Sequence, residues 1–208
     1  MRVGTLIAQV LWLALPGVLA ASVHMVVVKK DLLRSLAVPI DGGRTLRGKR
    51  IFGDNKTWRG VLFVTLASAS LAAFQGLVGG AFAERSGLHC IDARALGLRL
   101  SGSSGLLGMV VAYAAIGSVI GFGYVLGELP NSFAKRRLSI APGGKASGFT
   151  SAVFFVADRC DSVIASLLLG ALIFSYPLSI VVAGFLCLSV VHLVLSAALH
   201  KARLKKSM

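Results

Sequence analysis

Acidic side chains are what this chain has least of: eight Asp and Glu stand against 22 Lys and Arg in 208 residues, a formal net charge of +14. Charge of either sign is also sparse, at 14% of residues against 56% hydrophobic, with a mean hydropathy of +0.82. That is too little charge to coat a soluble globule, which excludes this class and leaves an integral membrane protein. In so apolar a chain, surplus Lys and Arg read first as topology signals and anionic-lipid contacts. Nucleic acid is therefore not an expected partner. Cysteine is scarce as well: Cys90, Cys160 and Cys187 show no Cys-x-x-Cys spacing, which argues against a disulfide framework or a zinc site and leaves small core residues. His89, His192 and His200 carry no metal-ligand spacing, and His24 reads as a packed histidine. There is no internal repeat and no low-complexity segment.

What is present is a series of long uncharged runs. Thr5 to Val28 is long enough to cross a hydrocarbon core that needs about 20 residues. Val18-Leu19-Ala20 resembles a signal-peptidase site, but the apolar run continues past it to Val28 and ends at Lys29-Lys30, as a retained first span does. Pro16-Gly17 inside it can free backbone carbonyls, which is tolerable where they line a cavity. Gly60 to Ala83 is a second span. A third lies near 104–126, in a run whose glycines at 102, 105, 108, 117, 121 and 123 suit close helix packing in lipid. The last uncharged run, Ser162 to Leu199, would be roughly 57 Å as one helix at ~1.5 Å per residue, so it must turn. Ser175-Tyr176-Pro177 is the natural break, with Tyr176 as an interfacial anchor. This gives a fourth span at Thr150 to Phe174 and a fifth at Leu178 to His200. The fold class is an all-α membrane protein of five spans in a single domain, 1–208.

Between the first two spans, Lys29 to Arg59 holds nine Lys or Arg against Asp31, Asp41 and Asp54. Gly42-Gly43, Gly48 and Gly53 punctuate it, so ordered turns are expected. Gly48-x4-Gly53 is not a Walker A loop, because Asp54-Asn55 stand where Lys must follow. Five spans put this loop, the bases of Glu128 to Gly148 and the C-terminal tail on one side, with nine, four and four Lys or Arg. The other side receives Arg2 and three bases of the mixed loop Glu84 to Arg99. This bias places the N-terminus outside, the C-terminus and basic loops in the cytoplasm, and the protein in the cell (inner) membrane.

Two stretches carry the chemistry. In Gly127-Glu128-Leu129-Pro130-Asn131-Ser132-Phe133-Ala134-Lys135-Arg136-Arg137, helical spacing puts Glu128, Ser132 and Lys135 on one face, and in Asp158-Arg159-Cys160-Asp161-Ser162 it does the same for Asp158 and Asp161. Asp158, Arg159 and Asp161 fall inside the fourth span, where ionisable groups are expensive and usually functional. Paired carboxylates suggest a hard divalent cation, and neighbouring bases a phosphate. Taken alone, Lys135-Arg136-Arg137 is an inside anchor and the Asp pair a packing ion pair. Combined with the glycine-rich loop they favour a site.

Ser-Phe-Ala-Lys-Arg at 132–136 and Asp-Arg-Cys-Asp-Ser at 158–162 resemble the two halves of the CTP:phosphatidate cytidylyltransferase signature. Pro39-Ile-Asp-Gly-Gly and Gly53-Asp-Asn-Lys-Thr-Trp-Arg-Gly60 resemble the shorter CDP-archaeol synthases. The likeness runs from Pro16 to about Leu167, with the blocks in family order. It implies a transferase joining CTP to a membrane lipid phosphate, ester- or ether-linked, with Mg²⁺ and release of pyrophosphate. On this resemblance Asp158 and Asp161 would hold Mg²⁺, with Glu128 as a further ligand or a hydrogen-bonding partner of the ligands. Lys135 and Arg136 would meet phosphates, Ser132 would donate a hydrogen bond, and Asp54, Asn55, Lys56, Thr57 and Arg59 would close over nucleotide or lipid head. The expected partners are CTP, the lipid phosphate and membrane lipids, with a homo-oligomer left open. The chain departs from the pattern in having Glu128 where Asp is usual, and in lacking a Lys-Asp and a Pro-Gly-His-Gly-Gly between the halves. The alternative is a small transporter or lipid-binding protein using an intramembrane Asp pair.

Overall fold

The computed structural model describes residues 3–86, 105–144 and 147–201. The loop expected at Glu84 to Arg99 falls almost wholly outside these, as do Cys90, Lys145 and the tail beyond Lys201. Five helices carry the fold: α1 (Val3–Lys29), α2 (Trp58–Arg85), α3 (Leu106–Arg137), α4 (Gly148–Phe174) and α5 (Leu178–Lys201). Four of them, α1, α2 through Gly79, α3 and α5, are long and apolar enough to cross a membrane. The exception, α4, is as long but carries Asp158, Arg159 and Asp161 within it. Large apolar side chains such as Leu66, Leu172, Leu178 and Val194 stand exposed on the outer faces, as expected where the surrounding solvent is lipid. This is the surface of a multi-pass membrane protein.

The helices alternate in direction. Trp12 of α1 lies against Gln75 of α2 and Tyr113 of α3, while His24 lies against Gly60. Gly121 of α3 meets Val64 and Gly127 meets Asp161 of α4. α2 packs most extensively on α3, and α3 next on α4. Both interfaces are made possible by small residues. A Cβ on Gly117 would fall 2.4 Å from the Ser68 carbonyl, and one on Gly127 would fall 2.4 Å from the Asp161 carbonyl, so the backbones approach more closely than any side chain allows.

Pro16 leaves α1 helical. The carbonyl it deprives of a donor is that of Trp12, four residues earlier, and Gln75 Nε2 supplies the missing hydrogen bond at 2.9 Å. The freed oxygen thus meets a side chain of α2 instead of a cavity. At the other break, Ser175 ends α4 in the left-handed region at φ 54. Tyr176 is not an interfacial anchor: it is 6% exposed and packs with Val10, Phe174 and Ile180. It can do so because Gly170 offers no Cβ against its ring.

The segment from Glu128 to Arg137, expected as part of a loop, is the last turns of α3. At 32 residues, α3 would be about 48 Å long by the ~1.5 Å rise, well beyond a core of about 30 Å. Its charged end therefore continues past the apolar stretch as helix. The basic segment between α1 and α2 is built of turns, as its glycines suggest. After a 3-10 turn at Arg34–Leu36 comes a hairpin of β1 (Thr45–Leu46) and β2 (Lys49–Arg50). Arg47 and Gly48 both take positive φ, 51 and 73, the type I′ geometry that suits a two-residue hairpin. Ile40 N to Lys56 O at 2.8 Å and Trp58 N to Val38 O at 2.9 Å close the base of this loop.

Candidate active site

Asp41 organises the loop. Its carboxylate accepts hydrogen bonds from Gly43 N (3.0 Å), Phe52 N (3.0 Å), Gly53 N (3.1 Å) and Arg50 Nη2 (2.7 Å). Burial pushes the Asp41 carboxyl up, but Arg50 and the three amides outweigh this and hold it well below the usual carboxylate range. The other arm of Arg50 reaches Asp54 Oδ1 at 2.6 Å. Asp54 is therefore tied within the loop. Gly53, at φ +99, packs against Pro142 and Arg136 where a Cβ would lie 3.0 Å from the proline ring, and Asn55 sits beside it.

Four side chains fasten this loop to the bundle. Arg137 at the end of α3 donates to the carbonyls of Leu46, Lys49 and Arg50, while Lys49 Nζ returns a bond to the Arg137 carbonyl at 2.7 Å. Lys56 forms an ion pair with Glu128. Arg59 is 7% exposed and pairs with Asp31 at 2.9 Å and with the Leu32 carbonyl at 3.0 Å. Thr57 caps α2, its Oγ1 accepting from Gly60 N at 3.4 Å.

Directly below the loop, α3 and α4 bring the acidic pair together. Asn131 Nδ2 donates to Asp158 Oδ1 at 2.6 Å and to Asp161 Oδ2 at 2.8 Å. One oxygen from each carboxylate thus converges on a single point. Lys135 forms an ion pair with Asp158 and stands 5.3 Å from the Phe154 ring centroid. The second oxygen of Asp161 accepts from Ser162 N at 2.6 Å and Ser162 Oγ at 3.1 Å. Ser132 is 7% exposed on the same stretch of α3. Arg136 is 6% exposed, bonded to the Ile140 carbonyl, with Nε lacking a partner.

The sequence-predicted residues thus divide. Asp158, Asp161, Lys135, Lys56, Glu128 and Arg136 gather at the junction of loop, α3 and α4. Asp54 and Arg59 are engaged with Arg50 and Asp31. Four participants were not picked out in the sequence: Asn131, Asp41, Arg50 and Arg137. Asn131 and Arg137 lie inside the motif stretch on α3 and Asp41 inside the 39–43 block, but each acts on a partner that no local pattern reports.

Among the described residues no three of His, Cys, Asp and Glu come together as a ready cation cage. Two converging carboxylates nonetheless fit Mg²⁺, which is commonly held by one or two carboxylates with water and substrate phosphate completing its shell. Asn131 Oδ1, buried without a partner beside them, is a further hard oxygen donor.

A family model described as CarS-like, CDP-archaeol synthase, matches residues 3–207. The CDP-archaeol synthase of Halobacterium salinarum is 37% identical over 134 residues, which cover 64% of this chain and 59% of that protein. That of Halorubrum lacusprofundi is 32% identical over 165 residues, covering 79% and 73%. That of Pyrococcus furiosus is 28% identical over 155 residues, covering 74% of each. The match therefore spans about 59% of the length of the Halobacterium relative, and no solved structure matches. Because the family model covers nearly the whole chain, from the first apolar helix through both charged motifs, this protein belongs to the CarS-like CDP-archaeol synthase family.

Proposed function

We propose that the protein transfers CMP from CTP to a membrane lipid phosphate, forming a CDP-lipid and releasing pyrophosphate. A phosphate oxygen of the lipid bonds to the α-phosphorus of CTP. The bond from that phosphorus to the bridging oxygen breaks, and pyrophosphate leaves with the electron pair. The observation that carries this reading is the meeting of Asp158 and Asp161 on the Asn131 amide, at the foot of a basic, glycine-rich loop. The name shared by the relatives, CDP-archaeol synthase, supports an ether-linked lipid phosphate as the substrate.

Asp158 and Asp161 would hold Mg²⁺, with Glu128 beside them once Lys56 turns to the nucleotide. Bound there, the ion supplies charge neutralisation for attacking and leaving oxygens. Lys135, Lys56 and Arg136 provide the positive charge that a triphosphate needs, and Arg136 faces the Gly53 turn, where main-chain atoms can approach a phosphate closely. Asn55 and Ser132 are uncharged donors for nucleotide and phosphate oxygens. Arg59, Thr57 and Asp54 act by holding the loop in shape. The four apolar helices and α4 form five spans, with the loop and the charged end of α3 on the cytoplasmic side where CTP is found.

The test is purified protein in lipid micelles with CTP and either an ether-linked glycerol phosphate lipid or phosphatidate. Mg²⁺-dependent pyrophosphate release with the ether lipid is expected. No release with either lipid, at any Mg²⁺ concentration, refutes the reading.

A further inference from the structure

Three arginines are buried in the described part of the bundle: Arg59, Arg136 and Arg159. A guanidinium cannot shed its charge, so burial calls for an anion nearby. Arg59 has one in Asp31. Among the described residues, Arg136 and Arg159 have no carboxylate within ion-pairing distance. The Nε of each, like that of Arg59, is buried without a partner, but only Arg59 has a carboxylate on its other arm. The other two donate instead to main-chain carbonyls of their own chain neighbourhood, Arg136 to Ile140 and Arg159 to Phe155.

Their positions differ. α3 and α4 run antiparallel, with Gly127 against Asp161 and Lys135 beside Phe154. Arg136 therefore lies at the loop end, next to Gly53. Arg159 lies roughly one to two helical turns deeper, on the α4 turn that carries both Asp158 and Asp161. Its guanidinium carbon is 3.3 Å from the Phe155 ring centroid, and Phe155 is itself 45% exposed on the outer face of α4. The buried Arg159 guanidinium thus lies against a half-exposed aromatic ring, on the helical turn that carries the acidic pair.

Resting on the function proposed above, we infer that Arg159 is the receptor for the phosphate of the lipid substrate. The lipid enters sideways past Phe155, and the loop-side Arg136 is left to the nucleotide. A phosphate is the anion a bidentate guanidinium suits best, and one arriving from the bilayer meets Arg159 without its chains leaving the apolar phase.

The experiment measures KM for each substrate separately, using CTP and a short-chain dialkyl glycerol phosphate in mixed micelles. Arg159→Gln is expected to raise KM for the lipid phosphate about tenfold or more while leaving KM for CTP within about twofold, and Arg159→Lys, with charge but no fork, to fall between. In the absence of CTP, the lipid phosphate raises the melting temperature of the native protein and not that of Arg159→Gln. An unchanged lipid KM, a rise confined to CTP, or a lowered melting temperature with both KM values intact each overturns the assignment. Should Arg159→Gln fail to fold, the two KM values of Arg159→Lys decide. If the native protein shows no turnover, the transferase reading falls on its own, while the CTP-free melting shift still reports on Arg159.

Discussion

At the scale of single residues, the site is held together by one amide. Asn131 separates two carboxylates that would otherwise repel, so Asn131→Ala removes two hydrogen bonds to charged acceptors. The expected loss is about 1.5–3 kcal/mol, at the lower end because the Asp158 side chain is 43% exposed and partly screened. It is read as a fall of a few degrees in melting temperature without Mg²⁺. Adding Mg²⁺ to the variant should recover much of it, and a loss equal in both conditions would show that the carboxylates do not share a cation. Asp158→Asn and Asp161→Asn are each expected to lower kcat about 100-fold or more. Each should also abolish the Mg²⁺-dependent melting shift given by CTP, and a variant that keeps both would remove that residue from the site. The acids themselves were legible in the sequence because charges three apart in a long apolar run demand an explanation. Asn131 was not, because a neutral amide among stronger motif letters gives no signal until α4 is placed opposite it.

At the scale of elements, the loop between α1 and α2 depends on Asp41. Since Asp41 is held below its ordinary range, its contribution is present in full above the unfolded value near 3.9 and is lost only as pH falls below that toward the folded value. Proteolysis within 41–54 should therefore be slow and unchanged from pH 7 to about 5 and rise below about pH 4, whereas Asp41→Asn should be cut rapidly at pH 7. Equal cutting rates for the two proteins at pH 7 would deny Asp41 this part.

The helix contacts make a second prediction. A Cβ at Gly127 would collide with the Asp161 carbonyl and the Ala165 side chain, at 2.4 and 2.8 Å, pushing α3 and α4 apart at the site. Gly127→Ala is expected to cost about 1–3 kcal/mol and to lower kcat together with stability. Gly117→Ala, equally tight but against α2, should lower stability with a smaller effect on kcat. If the two variants lose activity alike, the spacing of α3 and α4 is not what sets the site. Four apolar helices could be read from the sequence by charge punctuation alone, and the Ser175-Tyr176-Pro177 break was visible for the same reason. The sequence ends the third span at 126, because charge begins at Glu128, whereas the helix runs on to Arg137, its charges met by Lys56 and Asp158 from outside the segment.

For the whole molecule, the proposed arrangement of five spans sets which compartment each turn meets. With Cys90, Cys160 and Cys187 replaced by alanine, a cysteine at Leu46 in the hairpin should react with a membrane-impermeant maleimide only after cells are opened. One at Leu106, exposed at the start of α3, should react in sealed cells. The reverse pattern, or labelling of both in sealed cells, refutes the arrangement. The charge bias along the chain is what proposes this layout, because it depends on counts and needs no contacts. Distances such as that between Lys56 and Glu128 cannot be counted out of the letters, since they arise only when antiparallel helices are brought into register.

The grip of Arg137 on the hairpin acts on the Leu46, Lys49 and Arg50 carbonyls. Every amino acid owns such an oxygen, so apart from the return bond from Lys49 the socket is blind to the spelling of the segment it holds. Hairpins borrowed from sister proteins that keep the Gly48 turn and Lys49 should plug in, and mutational drift elsewhere at the tip can proceed without loosening how the segment is hung.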